Sequence, residues 1–327
     1  MTRDIDDKIR QLEVVAKGIE LDCDTQQLKE SISVLGQLVE KDIISTPTYP
    51  TLLLPTLSIG KEGTDEGELK LPRGLAFDDK TELIYVVNSN QSTACINVFT
   101  VTGEYMDTFC SSGQFHCPIG IALSGDKVYL TDALLHCIFH FKLSDFQLVS
   151  RVGKEGSGKG EFSFPQQVTV ASNGSVFVAD CSNNRVVVMD AKLNYKRSIK
   201  HESMKQPVDV KLLGDKVYAL SYIDNPCIHV FTLSGKRLRS FITCGEKATD
   251  QVMEVYSFCF DKQKNILICD FSAESIKVFS QEGSLLHTLG GSKDKEKRIK
   301  PRGIVITEKN ELICVSYKTL FGVHIFF

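Results

Sequence analysis

Short apolar runs with a period of two recur along most of the chain, each bounded by Gly, Asn, Asp or Lys. A proline opens a repeated phrase at Pro72, Pro118, Pro165, Pro207 and Pro301, with gaps of 46, 47, 42 and 94 residues. The last gap is twice 47, so a further unit lies inside it, with Val255 at the corresponding place. Each of the six units then reads alike. A first strand, such as Leu75-Ala76-Phe77 or Ile304-Val305-Ile306, leads into a turn such as Asn173-Gly174. Asn and Gly tolerate the backbone angles that a tight hairpin needs. A more apolar second strand follows, for example Val176-Phe177-Val178-Ala179. A polar loop, a third strand such as Ile276-Lys277-Val278-Phe279, another turn and an outer strand complete the unit. Four antiparallel strands at this period form one radial blade, so the pattern predicts an all-β, six-bladed β-propeller. A spacing of two, not 3.6, excludes a helical solenoid.

The sixth unit stops at Phe327, in its third strand. Its outer strand is expected from the front of the chain. Thr56-Leu57-Ser58-Ile59-Gly60 has the pattern of the outer strand Leu286-His287-Thr288-Leu289-Gly290. Pairing there closes the ring and removes a free sheet edge. The propeller is thus expected over 56–327, after a linker at 46–55 that holds Pro47 and Pro50.

Residues 1–45 follow another rhythm. Ile5, Ile9, Leu12, Ala16 and Ile19 are spaced as a coiled-coil seam. Asp24 with Gln27 reads as a capping box, and Leu28, Ile32, Leu35 and Val39 continue the apolar stripe. A short α-helical arm is predicted. Residues 5–39 would either make a homodimer or lie against their own propeller.

The N-terminus carries no apolar signal segment, and no apolar run is long enough to cross a membrane. Formal charge is −3 overall, with 6 Lys+Arg against 10 Asp+Glu in 1–55 and 32 against 31 in 56–327. A propeller so close to neutral has no general pull on nucleic acid or anionic lipid. Eleven cysteines, an odd number, include no CxxC pair, and several sit inside apolar strands, as Cys269 and Cys314 do. Reduced, buried thiols and a cytoplasmic location are the expectation.

The chain lacks Trp, which excludes WD40 blades. The phrase Val178-Ala179-Asp180-Cys181-Ser182-Asn183-Asn184-Arg185 resembles the core of the NHL repeat, where an Asn-His-Arg triplet precedes the third strand; Asn184 replaces the usual His. Pro72-Arg73-Gly74-Leu75 and Pro301-Arg302-Gly303-Ile304 resemble that family's blade-opening phrase. Among NHL proteins the chain is most similar to the C-terminal domains of TRIM-NHL proteins. Those carry RING and B-box zinc modules before a coil. With one Cys before residue 95 and no His before 116, this chain is expected to lack both, and with them ligase chemistry.

Gly153-Lys154-Glu155-Gly156-Ser157-Gly158-Lys159 approaches a phosphate-binding loop, but Gly160 stands where a hydroxyl is needed and Pro165 with a strand follows instead of a helix. It reads as an interblade loop. The second strand of every unit ends on a polar residue: Asn88, Asp132, Asp180, Ser221, Asp270 and Ser316. Caps on local backbone N–H groups are the main expectation there, and a channel metal is the alternative. His140, His229 and His324, all in third strands, read as structural, while Tyr85, Tyr129, Phe177 and Tyr218 read as core.

The one basic concentration is the loop Lys293-Asp294-Lys295-Glu296-Lys297-Arg298-Ile299-Lys300-Pro301-Arg302, which reads either as a solvated loop of mixed charge or as a binding face. TRIM-NHL relatives use that loop face for RNA or protein. The resemblance therefore nominates Arg73, Arg185, Tyr222, Phe271, Lys297, Arg298, Lys300, Arg302 and Tyr317 as binding residues, with Arg185 also a candidate for a structural role. The expected function is non-catalytic recognition of a protein partner, as the substrate-binding part of a TRIM-NHL-like ubiquitin-ligase system. The alternatives are RNA binding by the loop face and a metal-dependent propeller hydrolase or lyase. No cofactor and no membrane contact are expected.

Overall fold

The computed structural model describes residues 55–90, 94–109, 114–222, 226–242, 252–290, 298–317 and 321–326. The predicted helical arm over 1–45, its dimer seam at 5–39, and most of the linker lie outside these residues. Lys297 does too.

Six four-stranded antiparallel sheets account for the described strands. Blades 1 to 5 are built from consecutive strands over 72–109, 118–152, 165–200, 207–242 and 255–290. Blade 6 takes Pro301–Ile306, Leu312–Ser316 and Gly322–Phe326 from the end of the chain and Leu57–Ile59 from its front. The closing register pairs Leu57 with Ile325, Ser58 with His324 and Ile59 with Val323. Thr56 N–H and its hydroxyl both donate to the Ile325 carbonyl, at 2.8 and 2.9 Å. The first strand of each blade packs against the first strands of both neighbouring blades, and that of blade 6 returns to that of blade 1. The ring is closed as the repeat predicts.

Burial follows the pleat. Second and third strands are buried along nearly their whole length, as in Val176–Asp180 and Arg185–Met189. Sheets of neighbouring blades cover both their faces, which is why they carry continuous β-branched and aromatic runs. The aromatic column Tyr85, Tyr129, Phe177 and Tyr218 is buried, at 5% exposure or less.

Two recurring irregularities shape the functional end. Every first strand is bulged just after its opening residue, between Pro72 and Leu75 in blade 1 and between Pro301 and Gly303 in blade 6. Bulges also separate Val255 from Phe258 and Pro207 from Asp209. The bulge lifts the second residue of the strand out of the ladder and re-aims its side chain. Those second residues are Arg73, Ile119, Gln166, Val208, Tyr256 and Arg302. The third residue is glycine where neighbouring first strands come closest. A Cβ on Gly74 would stand 2.1 Å from the Ile119 carbonyl oxygen, and one on Gly303 would stand 2.6 Å from that of Arg73. Blade 4 has Asp209 at this place. Its carboxylate crosses to blade 5, accepting from the Ser257 hydroxyl at 2.9 Å and from Phe258 N–H at 3.0 Å.

Candidate functional site

In five of the six blades the end where the first strand begins and the second strand ends is held by one repeated backbone device. The residue after the second strand donates its N–H to the residue before the first. Tyr222 bonds Gln206, Phe271 bonds Glu254 and Tyr317 bonds Lys300, as Ser89 does Leu71 and Ala133 does Cys117. The polar residue that ends the second strand reinforces the clamp. Asn88 Oδ1 accepts from Lys70 and Leu71 N–H. Asp132 accepts from His116, Cys117, Leu134 and Leu135 N–H. Asp180 accepts from Ser163 N–H, Asp270 from Ala273 N–H, and Ser316 Oγ from Lys300 N–H. These five side chains are engaged with backbone donors; the sixth, Ser221, makes no such cap, its hydroxyl being buried without a hydrogen-bond partner. Among the described residues no three His, Cys, Asp or Glu side chains converge in a way that could hold a metal ion.

The residues that follow the second strands occupy six equivalent positions on one rim, five of them held by the clamp, while in blade 3 Ser182 N–H bonds the Ser163 carbonyl instead. In blades 1 to 3 they are small: Ser89, Ala133 and Cys181. In blades 4 to 6 they are aromatic: Tyr222, Phe271 and Tyr317. The bulge adds Tyr256 from blade 5, Arg302 from blade 6 and Arg73 from blade 1 beside them. The guanidinium carbon of Arg302 lies 4.6 Å from the ring centre of Tyr256, 5.1 Å from that of Phe271 and 5.4 Å from that of Tyr317. Tyr256 in turn meets Phe271 edge-on at 5.5 Å and Tyr222 at 6.1 Å. A cation over three ring faces gains quadrupole attraction that partly replaces lost hydration.

The electrostatics are unbalanced. Burial, and then the charge of Arg73, pull the Arg302 guanidinium below its ordinary pKa. The Nε atoms of both arginines are buried and have no hydrogen-bond partner. The nearest acid, Glu254, is occupied, accepting from the Tyr256 hydroxyl at 2.6 Å and the Ser272 hydroxyl at 2.7 Å. Burial and that bond to Glu254 push the Tyr256 phenol up to about 12, so it stays protonated. The other basic candidates are compensated. Arg298 reaches Glu274 at 3.0 Å, and Lys300 reaches it at 3.4 Å while also lying 5.2 Å above the Phe271 ring.

Arg185 does not share this site. Its side chain is 3% exposed and pairs with Asp180 at 2.6 Å. Its other nitrogens donate to the Ser157, Gly158 and Glu161 carbonyls. It pins the loop that resembles a phosphate-binding turn. Gly158 N–H in that loop is already held by Glu161 at 2.8 Å. Arg185 sits apart from the other candidates, with each of its guanidinium nitrogens bonded inside the protein. Tyr256 joins the candidate set. It belongs to the unit that lacks the Pro-Arg-Gly phrase, and only alignment with Arg73 and Arg302 by position in the repeat would have marked it.

Fold and rim together define a β-propeller. A family model for the NHL repeat matches residues 162–189, which hold the first three strands of blade 3 and the Asp180–Arg185 pair. The chain is a six-bladed β-propeller that carries an NHL repeat. No curated protein matches its sequence. Among solved structures it is similar to a streptogramin B lyase, at a TM-score of 0.59 and 11% identity, covering 83% of this chain and 86% of that one. It is similar to virginiamycin B lyase from Staphylococcus aureus, at 0.57 and 13%, covering 75% and 77%. A chain of a nidogen/laminin complex scores 0.54 at 14%, covering 67% and 79%. At such identities these likenesses show the fold alone. Among the described residues no helix is long and apolar enough to cross a membrane.

Proposed function

We propose that the protein is a recognition scaffold that binds a protein partner through the rim formed by Arg73, Tyr222, Tyr256, Phe271, Arg302 and Tyr317. The observation that carries this is the stack of Arg302 on three rings beside a second arginine, with neither guanidinium in a described ion pair. Aromatic residues and arginine are the side chains that dominate binding energy at protein interfaces. Apolar side chains surround them on loops at the same end: Met253 is 71% exposed, Leu134 45% and Phe164 42%. Among propellers of similar fold, the nidogen/laminin chain is part of a protein assembly by name, whereas the lyases are enzymes by name. The finer expectation, from the resemblance to TRIM-NHL proteins, is that the partner is a ubiquitylation substrate.

Single-stranded RNA is the second reading. It rests on the same rings, which are the platforms that bases stack on. Near-neutral charge over 56–327 weighs against it, because phosphate binding draws on many uncompensated cations. The test uses the full chain and a Tyr256→Ala/Tyr317→Ala variant as baits, each with and without nuclease. Protein partners recovered by the wild type, resistant to nuclease and lost with the variant, support the scaffold. Recovery that nuclease abolishes selects RNA. Equal recovery by the variant sinks both.

A further inference from the structure

We propose that the rim is a carboxylate clamp: Arg73 and Arg302 together grip an Asp or Glu side chain of a short acidic peptide, and a neighbouring apolar side chain of that peptide packs on the rings of Tyr222, Tyr256 and Tyr317. This rests on the reading of the protein as a protein-recognition scaffold and names the chemistry of what it recognises.

Four observations lead there. First, two guanidiniums sit on adjacent first strands at the same bulged position, close enough that the charge of one lowers the proton affinity of the other. Like charges held together and partly dried are unfavourable unless an anion joins them. Second, the Nε atom of each is shut from solvent without an acceptor. A buried donor left unpaired costs stability, and the arrangement makes sense when a bound group supplies the acceptor. Third, the Arg302 plane is fixed by the rings of Tyr256, Phe271 and Tyr317, so its fork is oriented before any ligand arrives. A planar fork matches two carboxylate oxygens, which a lysine does not. Fourth, the local acids that could have neutralised the pair are engaged elsewhere: Glu254 with two hydroxyls, Glu274 with Arg298 and Lys300.

A carboxylate fits better than a phosphate chain. Among the described rim residues two arginines lack an ion pair, and apolar residues hold two of the other bulged positions. Ile119 and Val208, at the bulged positions of blades 2 and 4, are each 6% exposed. Polyphosphate recognition needs a track of cations, whereas an acidic residue beside an apolar one needs one charged socket and one greasy wall. No covalent step is involved, since the ligand binds and leaves unchanged.

Short random peptides displayed on phage, selected against the full-length protein, supply the test. The proposal expects selected peptides to share an Asp or Glu next to an aliphatic or aromatic residue. Binding of one such synthetic peptide should weaken about tenfold or more in Arg73→Gln and in Arg302→Gln, the loss of a charge-assisted bond. Replacing the acidic residue of the peptide by its amide should weaken it to a similar degree. Arg73→Lys and Arg302→Lys keep charge and bulk but lose the fork. They should recover only part of the affinity, and they carry the test if thermal melting shows a glutamine variant unfolded. Absence of an acidic consensus overturns the proposal, as does a consensus peptide that binds all four variants like the wild type. Displacement of the peptide by oligouridylate, with a steep fall in RNA affinity as salt rises, overturns it in favour of phosphate. If the aromatic double variant loses its protein partners while no acidic consensus emerges, the scaffold stands and the clamp alone fails.

Discussion

A single arginine can hold the fold or wait for a ligand, and the difference lies in what surrounds its donors. Arg185 has its charge met by Asp180 and three of its four remaining N–H groups taken by carbonyls. Arg185→Ala should therefore destabilise by about 3–5 kcal/mol, since it strands a buried carboxylate. Equilibrium denaturation checks this. Arg73 has no such partners and faces a like charge. Arg73→Gln should leave stability intact or raise it by about 0.5–1 kcal/mol, about 2 °C in Tm for a domain of this size. A lower melting point would refute that. His229 gives a third residue-level outcome. It is 1% exposed, and burial drops its pKa to about 4. Neutral in the folded state, it takes up a proton readily only on unfolding. Its contribution is present above pH ~6.5, the unfolded pKa, and fades as pH falls toward 4, by up to ~3 kcal/mol. Denaturation at pH 7 and pH 5 should show the loss, and His229→Gln should reduce it.

Much of the placement of the candidate residues, though not their role, could be read from residue position. Arg73, Tyr222, Phe271, Arg302 and Tyr317 follow from counting along the repeat, because the clamp puts equivalent positions on one rim. Arg185 reads both ways in the sequence, as a binding and as a structural residue, because sequence does not show that three carbonyls of a distant loop close around it. Arg298 and Lys300 looked free for the same reason: Glu274, which meets both, belongs to another loop.

At the scale of the element, the bulged first strand links fold to site. The extra residue turns a side chain toward the rim, and the glycine after it lets the next blade approach. Gly303→Ala would push a methyl against the Arg73 carbonyl oxygen at 2.6 Å. Overpacking of this kind costs about 1–3 kcal/mol, and displacement of Arg73 should weaken partner binding in the same variant. Denaturation and peptide titration on one preparation read both effects. The strands themselves were legible from period two and turn chemistry. The bulges were not, because a bulge changes which residue faces which neighbour without altering the apolar pattern.

At the scale of the molecule, stability is distributed around a ring whose two ends meet inside one sheet. Ile59 is 2% exposed and packs with Ile313, Val315, Val323 and Ile325 in one cluster. Ile59→Ala should cost about 2–5 kcal/mol, a size expected of a core truncation, although the residue lies far in sequence from its neighbours. A shift in the denaturation midpoint measures it.

That seam also sets an order of events during synthesis. The ribbon carrying Ile59 leaves the ribosome early, and the strand it pairs with is made more than 260 residues later. Through most of translation blade 1 can form, but the hydrogen-bonding groups of 57–59 have nowhere to go. A stop codon just before Gly322 would therefore remove more than a tail: it would release five finished blades and an incomplete sixth, an unzipped circle with two adhesive borders, material for chaperones and proteases, not a shortened binder.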